Sequence, residues 1–206
     1  MAEKEKIIID IFRNKTADEF TRALADPNAK VDTGSGAAWI AAVSAAFMCR
    51  AAGLAAKTVE ANERLDYIAR NAEIIRGYMV QLIDEDVKCR GPLRMALREN
   101  DERRIEATRQ TAVSICAEIV NMMSQALELM QELTEICSAG DAMPYLAEAA
   151  VSALGAIRAA RLYIVAMADK SPDDTYRYVI RRENEITLER CEELAAGISA
   201  KAEAGI

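Results

Sequence analysis

The feature that most constrains this chain is a seam of residues spaced alternately three and four apart between positions 60 and 90. It comprises Leu65, Ile68, Ala72, Ile75, Met79, Leu82, Asp86 and Cys89. In an α-helix this spacing puts the side chains on one face, as in helices that pack side by side in a bundle. A glycine followed by a proline ends most helices, so we expect this helix to stop at Gly91-Pro92.

Helical patterns also cover most of the remaining chain. The predicted helices span about 3–25 (one or two short helices), 37–57, 60–90, 101–139, 144–168, and from a cap at 171–173 to 201. Thr16 is the expected N-cap of the first segment, because Asp18 and Glu19 follow it. The helices at 37–57 and 144–168 are apolar on nearly every side, so we expect other helices to surround them. We therefore predict a single all-α domain, residues 1–206, built as an up-and-down bundle of long helices with buried central helices.

Composition removes several classes of function. The net charge is −7, with no basic cluster to offset it, so we expect no nucleic-acid partner. The chain contains no histidine, which excludes histidine metal sites and Ser-His or Cys-His nucleophiles, and we expect no bound metal. Five widely spaced cysteines without a CxxC pair are typical of free thiols in a reducing compartment, which predicts a cytoplasmic protein.

One stretch raises the question of a membrane span. Residues 36–56 are apolar over about the required length, yet they are mostly Ala, Gly and Ser and include Arg50. This composition favours a buried central helix, so we expect no membrane association. The apolar run near the N-terminus is interrupted by Asp10 and is too short for a signal peptide.

Asp86 is the most informative candidate for chemistry. It lies on the apolar seam one helical turn after Leu82, whereas its neighbours Asp84 and Glu85 point elsewhere and are expected to be solvated. A carboxyl group that faces a core tends to have a raised pKa, which suits a general acid or base near neutral pH. The alternative is that Asp86 is half exposed or pairs with an arginine.

Two other features are candidate binding elements. Thr33-Gly34-Ser35-Gly36 directly precedes the helix predicted at 37–57, where free amide groups and the helix dipole suit an anion or a developing oxyanion. A plain capping loop is the alternative interpretation. Arg158 and Arg161, one turn apart on an apolar helix, would either line a pocket or pair with core acids such as Asp86.

Taken together, these motifs resemble the cyclodeaminase/cyclohydrolase family, which comprises methenyltetrahydrofolate cyclohydrolases and the C-terminal domain of formimidoyltransferase-cyclodeaminase. The resemblance covers about residues 18–180. The Gly-rich loop at 32–37 is similar to the family's PGGGS-type loop, and the segment 82–87 closely matches its L-x-DEDA motif. Gly140-Asp141 resembles the GN turn that precedes its SD motif, and the segment 157–164 resembles its GAxxNVxIN-like run.

The resemblance implies an all-helical homodimer that binds a tetrahydrofolate derivative as its substrate. It implies a catalytic role for Asp86 and folate contacts from Thr33, Gly34, Ser35, Gly36 and Arg161. The implied activity is that of a 5,10-methenyltetrahydrofolate cyclohydrolase or a formiminotetrahydrofolate cyclodeaminase.

The chain also departs from the family motifs. The loop lacks the proline and one glycine, no acid clearly replaces the SD aspartate, and Tyr163 and Met167 stand where the last motif has asparagines. These changes leave two alternatives open: a folate- or small-molecule-binding module without catalysis, and a helical scaffold without a ligand.

Overall fold

The computed structural model describes residues 11–60, 62–137 and 140–204. Within these ranges the chain is helical and has no strand, so the predicted all-α fold is confirmed. The elements are a short 3-10 helix at Phe12–Asn14, α1 at Ala17–Ala25, α2 at Thr33–Ala55, α3 at Glu63–Glu99, α4 at Glu102–Ile136, α5 at Met143–Ala168 and α6 at Asp174–Ala204.

The four helices α2 to α5 form a closed ring. α2 packs against α3 and α5, and α4 packs against the same two helices from the other side. α6 lies outside this ring, against α5 and α4. Short connections join the long helices in sequence, as expected for a bundle in which neighbours run up and down.

Small residues allow α2 and α5 to pack closely. Ala38, Ala41 and Ala45 on α2 are fully buried, as are Ala149 and Ala153 on α5. The Ser44 hydroxyl on α2 donates a 2.8 Å hydrogen bond to the Ala149 carbonyl of α5, which satisfies a buried polar group and links the two helices.

We expected other helices to surround α2 and α5, but neither helix is enclosed on every side. Ile40 and Val43 on α2 are 37% and 38% exposed, and Val151 and Leu162 on α5 are 63% and 66% exposed. Both helices are long and apolar enough to cross a membrane, a property shared by core helices of soluble bundles, and both pack on other helices here. Each therefore presents one apolar stripe outward.

The prediction that the helix at 60–90 ends at Gly91-Pro92 is wrong. α3 continues through Pro92 to Glu99, and Asn100 ends it in the left-handed conformation. A proline removes one N–H from a helix. The carbonyl that loses its helical donor is that of Lys88, and Arg94 Nη2 bonds to the preceding carbonyl, that of Val87, at 2.7 Å.

The N-terminal segment is fastened to α3 by Asp84. Its Oδ1 accepts hydrogen bonds from the amides of Phe12 at 2.7 Å and Arg13 at 3.3 Å. Asp84 is 5% exposed, so the expectation that it is solvated is wrong, whereas Glu85 pairs with Lys88 at the surface. The prediction for residues 3–10 lies outside the described residues.

Candidate functional site

Asp86 on α3 lies at the first turn of α2, in the interior of the bundle. Its Oδ2 accepts a 2.9 Å hydrogen bond from the Ser35 amide and lies 3.0 Å from the Ser35 hydroxyl. That hydroxyl is also 2.9 Å from the Ile83 carbonyl. Because it has one proton, it can donate to either Asp86 Oδ2 or the Ile83 carbonyl at a given moment. Asp86 is fully buried, so the residue that sequence placed on the apolar seam does face the core.

Gly34 makes this approach possible. A Cβ at position 34 would overlap Asp86 Oδ1, lie 2.5 Å from Asp86 Cγ and come within 2.9 Å of Arg90 Nη2. Only glycine leaves room for a carboxylate this close to the backbone. The space beside Gly34, for which the family resemblance implies a folate contact, is therefore filled by the protein's own acid.

Arg90 is the ion-pair partner of Asp86. Its Nε donates a 2.8 Å hydrogen bond to Asp86 Oδ1, one helical turn away on α3. Its Nη1 lies 2.7 Å from Asp32 Oδ2, although the N–H does not point along this line, so the contact is an ion pair without a well-formed hydrogen bond. Arg90 is 2% exposed, whereas the Asp32 side chain is 55% exposed.

Residues of α4 and α5 complete the surroundings of Arg90. The guanidinium lies over the ring of Tyr163 on α5, with its central carbon 3.6 Å from the ring centroid. Its Nη2 is 3.7 Å from the Cys116 sulfur on α4. We call the following residues the polar cluster: Asp32, Ser35, Asp86, Arg90, Cys116 and Tyr163. All four helices of the ring contribute to it.

Burial raises the pKa values of three residues of the polar cluster, Asp86, Cys116 and Tyr163. It raises the pKa of Asp86, and Arg90 and Ser35 oppose this increase by stabilising the carboxylate. Burial also raises the pKa of Tyr163, and it raises the pKa of Cys116 to about 12, so this thiol is neutral at physiological pH.

The amides at the start of α2 are largely occupied. The Thr33 amide donates to Asp32 Oδ1 at 2.7 Å, the Ser35 amide donates to Asp86, and the Gly36 amide donates to the Asp32 carbonyl at 3.0 Å. Asp32 and Asp86 also place negative charge at this helix N-terminus, where the dipole favours it. The predicted loop is thus the capped first turn of α2, which begins four residues earlier than expected.

A cleft of about 490 Å³ lies beside this turn. Its size falls within the range of about 300–1,000 Å³ that is usual for small-molecule sites. It is lined by Leu24, Asp26, Pro27, Ala29, Val31, Asp32, Thr33, Gly36 and Arg94. Thr33 and Gly36 therefore border open space, whereas Gly34 and Ser35 are buried against Asp86.

The two arginines of α5 do not pair with Asp86. Arg158 forms a surface ion pair with Glu192 of α6 at 2.8 Å. Arg161 is half-buried, and its Nε makes no hydrogen bond to any residue in the described ranges. The arginine that pairs with Asp86 is Arg90.

Sequence reasoning missed Arg90, Cys116 and the role of Tyr163 as a stacking partner. Arg90 follows Asp86 by four residues, the spacing of an ion pair on one helix face. Both residues lie within the helix predicted at 60–90, so the sequence offered this pair as the arginine partner that we left open for Asp86. Cys116 and Tyr163 are brought to the site by other helices, and no local pattern indicates this.

Comparison with known proteins agrees with the family resemblance. The sequence profile described as Formiminotransferase-cyclodeaminase matches residues 16–185 of this chain. A search of curated proteins finds no significant match. Among solved structures, the fold is similar to the crystal structure of formiminotetrahydrofolate cyclodeaminase from Thermotoga maritima, with a TM-score of 0.82 and 16% identity, covering 93% of this chain and 97% of that one.

The profile match covers most of the chain, including α1, the Gly-rich turn of α2, Asp86 and Tyr163. The structural match extends the same architecture over nearly the whole length of both proteins. This chain therefore belongs to the formiminotransferase-cyclodeaminase family.

Proposed function

We propose that this protein binds a tetrahydrofolate derivative and acts on its one-carbon unit, as a 5,10-methenyltetrahydrofolate cyclohydrolase or a formiminotetrahydrofolate cyclodeaminase. The observation that carries the proposal is the position of Asp86. Within a chain of this family, a buried carboxylate contacts the first turn of α2, and the same turn borders a cleft of about 490 Å³.

The chemistry requires one proton acceptor and a bound electrophile. In the cyclohydrolase reaction, water attacks the amidinium carbon of the methenyl group and loses a proton, which Asp86 would accept; the bond from this carbon to N5 then breaks, N5 takes up a proton, and the formyl group stays on N10. In the cyclodeaminase reaction, N10 attacks the formimino carbon and ammonia leaves, with Asp86 moving the proton. Because the substrate carries its own electrophile, acid–base assistance of about 10²–10⁴-fold would suffice.

The cleft offers contacts for the folate. Thr33 and Gly36 line its wall next to α2, and Arg94 lines another part. The side chain of Arg94 is held in place by hydrogen bonds to the carbonyls of Lys30 and Val87 at 2.9 and 2.7 Å. Arg161, with a buried Nε that has no hydrogen bond to the described residues, is the further binding residue that the family resemblance suggests.

A second candidate function is folate or small-molecule binding without turnover. The burial of Asp86 favours it, because both carboxylate oxygens already accept hydrogen bonds from Ser35 and Arg90 and none of the group is exposed to solvent. Catalysis would require water or substrate to reach Asp86 through a rearrangement of these contacts.

One experiment separates the two functions. Purified protein is mixed with 5,10-methenyltetrahydrofolate, and loss of the methenyl chromophore is followed against buffer; ammonia release is followed with formiminotetrahydrofolate. If the protein is an enzyme, Asp86→Asn should lower kcat by about 100-fold or more. Glu85→Gln, the surface neighbour that pairs with Lys88, is the matched control and should retain the wild-type rate.

The thermal stability of the same samples completes the test. Binding without turnover would raise the Tm in the presence of the folate while the chromophore decays no faster than in buffer. Neither turnover nor stabilisation by any folate would rule out both functions and leave a helical scaffold.

We further propose that the protein is a cytoplasmic homodimer. The exposed apolar stripes of α2 and α5 support a second copy as the partner, because Ile40 and Val151 belong to the two most apolar helices and remain partly exposed. The two stripes are adjacent, since a Cβ at Gly155 on α5 would lie 4.0 Å from Ile40.

A further inference from the structure

We propose that Arg90 is a positioning residue that holds Asp86 as a carboxylate, directed at the first turn of α2, in a place that would otherwise neutralise it. Its relevance to catalysis rests on the proposed function, but the inference itself concerns the charge of Asp86 and can be tested without activity.

The hydrogen-bond geometry indicates the ionised form. Each oxygen of Asp86 faces an N–H group: Oδ1 faces Arg90 Nε at 2.8 Å, and Oδ2 faces the Ser35 amide at 2.9 Å. An N–H group can only donate, so a carboxylate satisfies both donors at once, whereas the hydrogen of a protonated acid could go only to the Ser35 hydroxyl, the one neighbour among these that can accept it. Arg90 supplies the only full positive charge among the residues of the polar cluster.

The other groups that face Asp86 do not replace this charge. Asp32, next to α2, is negative and shares Arg90 with Asp86. Cys116 on α4 and Tyr163 on α5 have raised pKa values because they are buried, so they are neutral near pH 7. Without Arg90, the fully buried carboxylate would keep, among the described residues, the Ser35 donors and the N-terminal dipole of α2 to offset its loss of solvation.

The structure also restricts the freedom of Arg90 itself. Tyr163 covers one face of the guanidinium, Asp32 contacts Nη1, and Cys116 lies beside Nη2. Three elements besides α3 therefore fix the orientation of this side chain. Fixing it fixes Asp86, because Nε of the same planar group donates to Asp86 Oδ1.

The test compares the pH dependence of stability in four proteins: wild type, Asp86→Asn, Arg90→Met and the double variant. Unfolding by urea is measured from pH 4.5 to 8.5. Subtracting the Asp86→Asn protein from wild type, and the double variant from Arg90→Met, isolates the titration of Asp86 with and without Arg90.

Removal of Arg90 should raise the folded-state pKa of Asp86 further above its unfolded value. A group whose pKa is raised on folding stabilises the protein fully below the unfolded pKa, and this stability is lost as pH rises toward the folded pKa. In the Arg90→Met pair, the unfolding constant should therefore increase by up to about tenfold per pH unit across the lower part of the range. The wild-type pair should change less and level off at lower pH.

Arg90→Lys is a second variant for the case in which Arg90→Met does not fold. It should restore most of the wild-type pH profile of stability, because lysine returns the positive charge without the planar geometry. Equal pH profiles in the two pairs, with Arg90→Met merely less stable by the same factor at every pH, would overturn the proposal. If turnover is found, the acidic limb of kcat against pH should shift to higher pH in Arg90→Met and stay near its wild-type position in Arg90→Lys, but absence of turnover leaves the unfolding result unaffected.

Discussion

Gly34 shows how one missing side chain determines the geometry of the site. In most helices a glycine is a weakness, because alanine at the same position stabilises by about 0.5–1 kcal/mol. At position 34 the balance reverses, since the space of the absent Cβ is filled by the carboxylate of Asp86 and the guanidinium of Arg90. Glycine is required at position 34 because the side chains of Asp86 and Arg90 lie against its backbone.

We predict that Gly34→Ala destabilises the protein by about 1–3 kcal/mol, as expected when an atom is forced into a filled interior. Gly53→Ala in the same helix should instead stabilise by up to about 1 kcal/mol, because, apart from its chain neighbours and the backbone of its own helix, no heavy atom of the described residues lies within 4 Å of the added Cβ. Urea unfolding of both variants checks this pair. An equal stabilising effect would mean that Asp86 does not occupy the space beside Gly34.

α3 is the element that connects the parts of the site. It carries Asp84, which holds the N-terminal segment, then Asp86 and Arg90 in the polar cluster, then Arg94 on the cleft. These functions follow one another along a single helix because it passes through Pro92 instead of ending there. The seam spacing predicted the helix well, but the rule that Gly-Pro ends helices failed at Pro92.

At this scale we predict that Asp84→Ala releases the segment that precedes α1. The amides of Phe12 and Arg13 would lose their acceptor, at a cost of about 1–3 kcal/mol for buried donors left unpaired. Hydrogen exchange of residues 12–15 should accelerate more than that of α4. Glu85→Ala, which removes only the surface pair with Lys88, should cost less than about 1 kcal/mol and leave this exchange unchanged.

At the scale of the whole molecule, the polar cluster lies inside a bundle whose core otherwise consists largely of alanine and aliphatic residues. Ser35, Asp86, Cys116 and Tyr163 come from four different helices, so the cluster can form only when the ring α2 to α5 is assembled. The same ring leaves the apolar stripes of α2 and α5 facing outward, and these form the surface that we propose for a second copy.

The proposed dimer predicts that Val151→Glu on α5 produces a folded monomer. An unpaired charge in the interface should cost about 3 kcal/mol, which corresponds to a dissociation constant more than about 100-fold higher. Ile74→Glu on α3 is the control, because Ile74 is 65% exposed and Val151 is 63% exposed. Light scattering should give twice the 22.6 kDa chain mass for wild type and for the control. A monomeric wild type, or a dimeric Val151→Glu, would contradict this surface.

The presence of the helices, the N-cap at Thr16 and the inward position of Asp86 were set by patterns within a few residues, and the sequence alone was sufficient to predict them. Such patterns are local because hydrogen bonds within a helix and the side of the helix that faces the core depend on nearby residues. The partners of Asp86, the burial of Asp84 and the occupied amides of α2 were decided only by the tertiary structure. They depend on how each helix is rotated and aligned against the next, which is fixed by packing among residues far apart in the chain.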